Sequence, residues 1–254
     1  YDLVVNDNPK IGREPIYKPT YDFKGVYTAN GAFMGQRRSG QSINYGTLEC
    51  YFKTGDDIHN EQCVFSMADN MAFPRLTIIS NKLLFATSDF SVKYLCEPNT
   101  TYHVVLRYAS QENLGYVFVN GIKISGTFKL GSNMQQKYIN LGMYSENIPI
   151  LLKGEIYHFR NFNKYLTEAQ ALMLWNGGDP ASFVVDAAMK ASCTQEYLPQ
   201  NMQPRSDDPT KAGYWWSSHK QMPVNGVLEP LSAPPAEWPN TNLDYYNYPS
   251  IIKQ

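Results

Sequence analysis

The sequence predicts an all-β protein built as a two-sheet antiparallel sandwich. Three observations carry the prediction. Asn120 and Gly121 sit between two alternating apolar runs in 116–124; a type I′ turn needs positive φ at both central residues, and this dipeptide is the strongest short-range hairpin signal. Short alternating segments recur at spacings of 10–15 residues from Tyr21 onward, a rhythm of strands and turns. The segment 151–159 then runs into a short helical pattern that stops at Gly177 and Gly178.

Each element has its own signal. Residues 1–20 are polar, carry Pro9, Pro15 and Pro19, and are expected to form an extended arm. A strand is expected at 22–29, around Phe23 and Val26. In 45–54, Leu48, Cys50 and Phe52 share one face, with Thr47, Glu49, Tyr51 and Lys53 on the other. Strands follow at 62–67 and 75–79, then a turn at Ser80, Asn81 and Lys82, and strands at 83–86 and 92–96. In 102–108, Tyr102, Val104, Leu106 and Tyr108 oppose His103, Val105 and Arg107. The hairpin 116–124 and strands at 137–144 and 151–159 complete about twelve strands, as in a jelly roll. Thr167 is the expected N-cap of a short helix, with Gln170 placed for a capping box. Ala171, Leu172 and Trp175 form its apolar stripe, and Asn176, Gly177 and Gly178 end it, since glycine takes the left-handed conformation without a Cβ clash. A second helix is expected over 181–192, around Ala187, Ala188 and Met189.

The domain plan is an arm over 1–20, a sandwich over 21–180, and a helix plus extension over 181–254. Nine of the 16 prolines fall in 199–254, with Trp215, Trp216, Trp238, Tyr245, Tyr246 and Tyr248. Disordered linkers are poor in aromatics, so this extension is expected to pack on the sandwich or on a neighbour. The chain opens on Tyr1, as expected of a processed or truncated product.

Composition narrows the function. Charged residues are 18% and the net charge is −1, which leaves no basic footprint for nucleic acid. No run of 18 apolar residues suggests membrane insertion. Aromatic content of 14% suits strands and sugar- or protein-binding surfaces. Cys50, Cys63 and Cys96 lie in apolar-alternating runs and read as free core residues; with Cys193 they lack the close pairing of a zinc site.

Four segments carry a family resemblance. Residues 45–54 (YGTLECYFKT), 101–108 (TYHVVLRY), 116–123 (YVFVNGIK) and 152–168 (LKGEIYHFRNFNKYLTE) resemble, in order, the strands, hairpin and closing strand-helix of a concanavalin A-like, laminin G-type jelly roll. Pentraxins belong to the same branch. Tyr102 stands where that family usually has Trp. The resemblance runs from Asp22 to Gly178 and implies a binding scaffold. Residues 193–202 and 213–227 are loosely similar to segments that follow such domains in tail-associated proteins of bacteriophages, without their usual Ser-Gly-Asn turn. The resemblance therefore implies a virion or surface protein that recognises a glycan or receptor alongside other subunits.

Candidate chemistry is sparse. Glycosidases need paired carboxylates flanking the scissile bond, and no such cluster is visible. Glu49 and Glu155 read as single carboxylates on solvated strand faces, and His103 and His158 as satisfied or exposed strand residues. Residues 138–144 are similar to an alginate lyase strand but lack its lysine, so catalysis through Tyr138 or Glu155 is the least favoured reading. Calcium, the family's common cofactor, needs clustered oxygen ligands; Asp56, Asp57 and Asn60 are the candidates, then Asp69 and Asn70. Phe73, Phe90, Tyr144 and Asn147 fall in expected loops and supply an aromatic sugar platform with a polar flank, as do Trp215 and Trp216. Asn99, Thr100 and Thr101 form an N-glycosylation sequon. A purely architectural subunit that clamps neighbours with arm and extension is the alternative.

Overall fold

The computed structural model describes residues 3–5, 33–36, 45–67, 74–86, 91–109, 114–124, 138–144, 150–204 and 212–215. Along the chain they form β1 (Leu3–Val5), β2 (Phe33–Gln36), β3 (Tyr45–Thr54), β4 (Gln62–Ser66), β5 (Arg75–Ile79), β6 (Lys82–Ala86), β7 (Ser91–Leu95), β8 (Thr101–Ala109), β9 (Leu114–Val119), β10 (Ile122–Lys123), β11 (Tyr138–Leu141), β12 (Gly154–Phe162), α1 (Glu168–Trp175), α2 (Ala187–Lys190), β13 (Cys193–Tyr197), β14 (Met202–Pro204) and β15 (Ala212–Trp215).

Among the described residues the strands make two antiparallel sheets. One has the order β14-β15-β1-β2-β11-β4-β5-β6-β7, the other β10-β9-β8-β3-β12-β13. Alternation in β3 and β8 sends Leu48, Cys50, Phe52, Val104 and Leu106 between the sheets, where they meet Phe65, Leu76, Ile78, Leu83 and Phe85 of the larger sheet. Phe65 and Phe159 touch edge to face across this core, with centroids 5.5 Å apart. The sandwich expected from the sequence is the observed architecture.

Turn chemistry sets the register. Asn120 and Gly121 have φ of 50° and 76°, the positive pair that a type I′ hairpin demands. Ser80 and Asn81 make an equivalent turn at φ 49° and 62°, and Lys82 already belongs to β6. At the start of β12, a Cβ on Gly154 would lie 2.3 Å from the Lys53 carbonyl, so only glycine lets β12 close on β3 there.

The outer face of the six-stranded sheet carries a second apolar layer. Val105, Phe118 and Phe162 on the strands pack against Leu166, Ala171, Leu174, Val185 and Met189. The connection after β12 is pinned by Thr47, whose hydroxyl donates to the Lys164 carbonyl at 2.9 Å and accepts from the Leu166 amide at 3.1 Å. Thr167 and Gln170 form the capping box of α1.

Helix α1 ends at Asn176, Gly177 and Gly178, as expected: all three have positive φ, at 48°, 62° and 108°, and the Asn176 amide bonds the Asp179 carbonyl and the Ser182 hydroxyl. Two expectations about the helices need correction. The buried stripe of α1 is Ala171 and Leu174, while Leu172 is 44% exposed. The second helix is only one turn, Ala187–Lys190, because Asp186 caps it by accepting from the Met189 amide at 2.7 Å, and Pro180 opens a separate 3₁₀ turn before it. Leu3–Val5 lies between β15 and β2, so parts of the N-terminal and C-terminal segments pair with each other in the sheet. The run of Leu3, Val4 and Val5 is a short strand signal ahead of the first proline. The expected strand at 22–29 lies outside the described residues.

Candidate functional site

The densest chemistry lies on the outer face of β8, β3, β12 and β13. In register, Glu49 of β3 faces Arg160 of β12, and Arg160 faces Glu196 of β13. One row along, Tyr51 is flanked by His103 of β8 and His158 of β12. Simple alternation would not put His158 there. Ile156 pairs with Phe52 and His158 with Tyr51, so β12 holds one extra residue, Tyr157, at a bulge. The bulge keeps Ile156 and Phe159 in the core and turns His158 and Arg160 outward.

Five side chains then close on one another. Glu49 Oε1 accepts from His103 Nε2 at 2.8 Å, His158 Nε2 at 3.1 Å and Arg160 Nη1 at 3.2 Å. Glu49 Oε2 accepts from Arg160 Nη1 at 3.0 Å. Arg160 Nε donates to Glu196 Oε1 at 2.9 Å, and Nη2 to the Phe183 carbonyl at 3.4 Å. Two carboxylates thus share one guanidinium. Each imidazole serves an ionised Glu49 as donor when its proton is on Nε2.

The network is sealed. Glu49 and His158 are both 0% exposed. The Trp175 ring lies 5.7 Å from the His103 ring, and a Cβ on Gly121 would strike Trp175 at 2.4 Å, so the hairpin turn, Trp175 and His103 are in close register. Burial alone would raise the Glu49 pKa; the Arg160 charge, the His158 charge and the imidazole hydrogen bonds outweigh it and hold the group well below the usual carboxylate range. Burial, followed by Arg160, pushes His158 down to about 4.

Glu49 was expected on a solvated face, and this is corrected: the segment after β12 covers that face. His103 and His158 are satisfied strand histidines, as expected, and Glu49 is the group that satisfies them. Strand alternation identifies residues that share a face but not whether that face is covered. The signal that could have found the cluster is Glu49 and His103 on the outer faces of neighbouring strands, each beside an apolar or aromatic residue.

Glu49, His103 and His158 also place one carboxylate oxygen and two imidazole nitrogens within 4.8 Å of each other, a donor set of the type a transition metal uses. Arg160 Nη1 occupies both oxygens of Glu49 and lies 3.5 Å from His158 Nε2. An incoming cation would meet a guanidinium, so the donor set fits a metal poorly.

Of the binding residues proposed from sequence, Tyr144, Trp215, Asp56, Asp57 and Asn60 lie among the described residues. Tyr144 is 2% exposed, with the Arg75 guanidinium 5.8 Å over its ring, so it presents no open platform. Trp215 lies in β15, paired with Leu3 and Met202. Phe73, Phe90, Asn147 and Trp216 lie outside the described residues, as do Asp69 and Asn70. Asp56, Asp57 and Asn60 do share the turn after β3. Asp57 accepts from the His59 and Asn60 amides, from the Asn60 side chain at 2.8 Å and from Lys153 Nζ at 2.8 Å, while Asp56 accepts from Asn99 at 2.6 Å. The Asn60 side-chain bond, then the Lys153 bond, hold Asp57 far below its ordinary pKa. All four cysteines are free and buried.

No family model matches this sequence, and no curated protein matches it. Solved structures match the fold. A candidate carbohydrate-binding protein from Bacteroides ovatus is similar at a TM-score of 0.55 and 15% identity, over 88% of this chain and 62% of that one. The binding domain of botulinum neurotoxin serotype D is similar at 0.52 and 14%, over 69% and 46%. A receptor binding domain is similar at 0.51 and 16%, over 65% and 44%. The chain therefore spans less than two thirds of the length of each. At these identities the likeness is one of fold alone: the chain shares the two-sheet antiparallel sandwich of these structures.

Proposed function

We propose that this chain is a non-enzymatic binding module that recognises a glycan or receptor, outside the cell, on a virion or a cell surface. The closed Glu49 network carries this reading. Carboxylates that cleave glycans must face the substrate, one protonated and one ionised. Glu49 and Glu196 instead share Arg160 beneath Trp175 and Phe183, in the manner of a structural ion network. The fold neighbours described as carbohydrate- or receptor-binding support the same direction by analogy. The in-sheet pairing of β1, β14 and β15 supports a self-contained module over an architectural clamp. No described helix is long and apolar enough to cross a membrane.

The test is a glycan-array and bacterial-surface binding screen of the intact chain, with calcium and with chelator. Saturable binding to a defined glycan or surface supports the reading. Calcium dependence lost in D56N and D57N variants supports a calcium site at Asp56, Asp57 and Asn60. Absence of binding, with the chain docking into a larger particle, overturns the reading in favour of the architectural one.

A further inference from the structure

A second constellation lies on the same outer face, nearer the hairpin. Arg107 of β8 has a side chain only 5% exposed. Its Nε donates to the Leu166 carbonyl at 2.5 Å, but Nη1 has no hydrogen-bond acceptor among the described residues. Among the described residues its anionic neighbour is Glu168, whose Oε1 lies 3.9 Å from Nη1, too far to accept. Glu168 is 53% exposed and is drawn aside by Lys123, whose Nζ lies 2.5 Å from the same oxygen. Aromatic rings wall the place: Tyr165 lies 4.3 Å from the guanidinium carbon and Tyr116 5.4 Å, with Lys123 Nζ 3.9 Å over the Tyr116 ring. Both tyrosines are half-buried.

Two cations therefore face one carboxylate, and the buried Nη1 of Arg107 is unmatched among the described residues. An unmatched buried donor is costly, and a guanidinium gains most from a planar oxyanion. Glu168 is tethered to the first turn of α1 and stops short of that position. A free carboxylate is not so tethered. Half-buried tyrosine beside it suits the C–H face of a sugar ring.

We propose that Arg107, Lys123, Tyr116 and Tyr165 form a subsite for a carboxylate-bearing sugar, with Glu168 standing in for the ligand carboxylate when the subsite is empty. The inference rests on the glycan-binding reading and names a ligand class for it. Binding moves the Glu168 side chain outward, and the sugar carboxylate takes its place between Arg107 and Lys123.

Calorimetric titration of the intact chain tests this with tetragalacturonate and 3′-sialyllactose, beside methyl-esterified tetragalacturonate and lactose as neutral counterparts. The acidic probes bind about tenfold tighter than the neutral ones, one charge-assisted contact in free energy. E168Q removes the competing charge and tightens acidic binding, while K123A and R107K weaken it; K123A and E168Q alter exposed side chains, so the test stands even where R107K fails to fold. Equal binding of acidic and neutral probes, or acidic binding unmoved in K123A and E168Q, overturns the subsite while leaving the glycan-binding reading intact. No binding of any probe to the intact chain or to E168Q overturns the subsite too; the wider reading then rests on the array screen.

Discussion

Replacing Arg160 with Met probes the network at its hub. The guanidinium contacts both oxygens of Glu49, at 3.0 and 3.2 Å, and Glu196 at 2.9 Å. Methionine approximates its aliphatic stem but leaves two carboxylates without their shared cation, on a face where Glu49 is fully buried. Removing one partner of a buried ion pair costs about 3–5 kcal/mol. For a chain of this size that is about 6–20 °C in Tm, at about 2–4 °C per kcal/mol. The assay is urea unfolding followed by tryptophan fluorescence, with a calorimetric scan. The double variant E49Q/R160M removes the charge that R160M strands, so it is less destabilised than the sum of the single variants, by about 0.5–3 kcal/mol. R160M within about 1 kcal/mol of the unaltered chain, or strict additivity with E49Q, would refute a structural ion network.

Acid weakens the same network. The folded-state pKa of His158 is depressed from 6.5 to about 4, so the unfolded chain takes up a proton first. Stability is complete above pH 6.5 and declines as the pH falls toward 4, by about 3 kcal/mol at most; Glu49, also depressed, adds loss below 4.5. His158 is faced by Glu49, Arg160, His103 and Tyr51, and H158Q flattens the decline in denaturant titrations at stepped pH. G121A places a methyl group against Trp175 at φ 76° and costs about 1–2 kcal/mol, seen as a lowered urea midpoint with altered Trp175 fluorescence. The four cysteines are buried, and burial raises the pKa of each thiol; none reacts with a thiol reagent in the native state, and all four react in denaturant.

The parts of the fold legible in the sequence are those set by local rules. Alternation placed β3 over 45–54 and β5 over 75–79 at their observed bounds, and Asn120 with Gly121 fixed the hairpin. The capping box at Thr167 and Gln170 was equally local. The site was not legible, for two reasons. Glu49 looked like a surface carboxylate because nothing local states that Trp175 and Phe183, more than 120 residues later, return to cover it. His158 and Arg160 reached Glu49 only through the bulge at Tyr157, one extra residue invisible to a two-residue period. The same rule explains α1, where tertiary packing selected Leu174 over Leu172.

Product analysis on any glycan that the intact chain binds tests the central claim most directly. The chain is held with the glycan at saturating concentration, and new reducing ends and unsaturated products are measured alongside bound fraction. Binding is expected to be saturable, with the glycan recovered unchanged and binding preserved in a folded E49Q variant. New chain ends that accumulate with time and vanish in folded E49Q would contradict that claim, because Glu49 would then be reacting with substrate rather than holding the sheet face together.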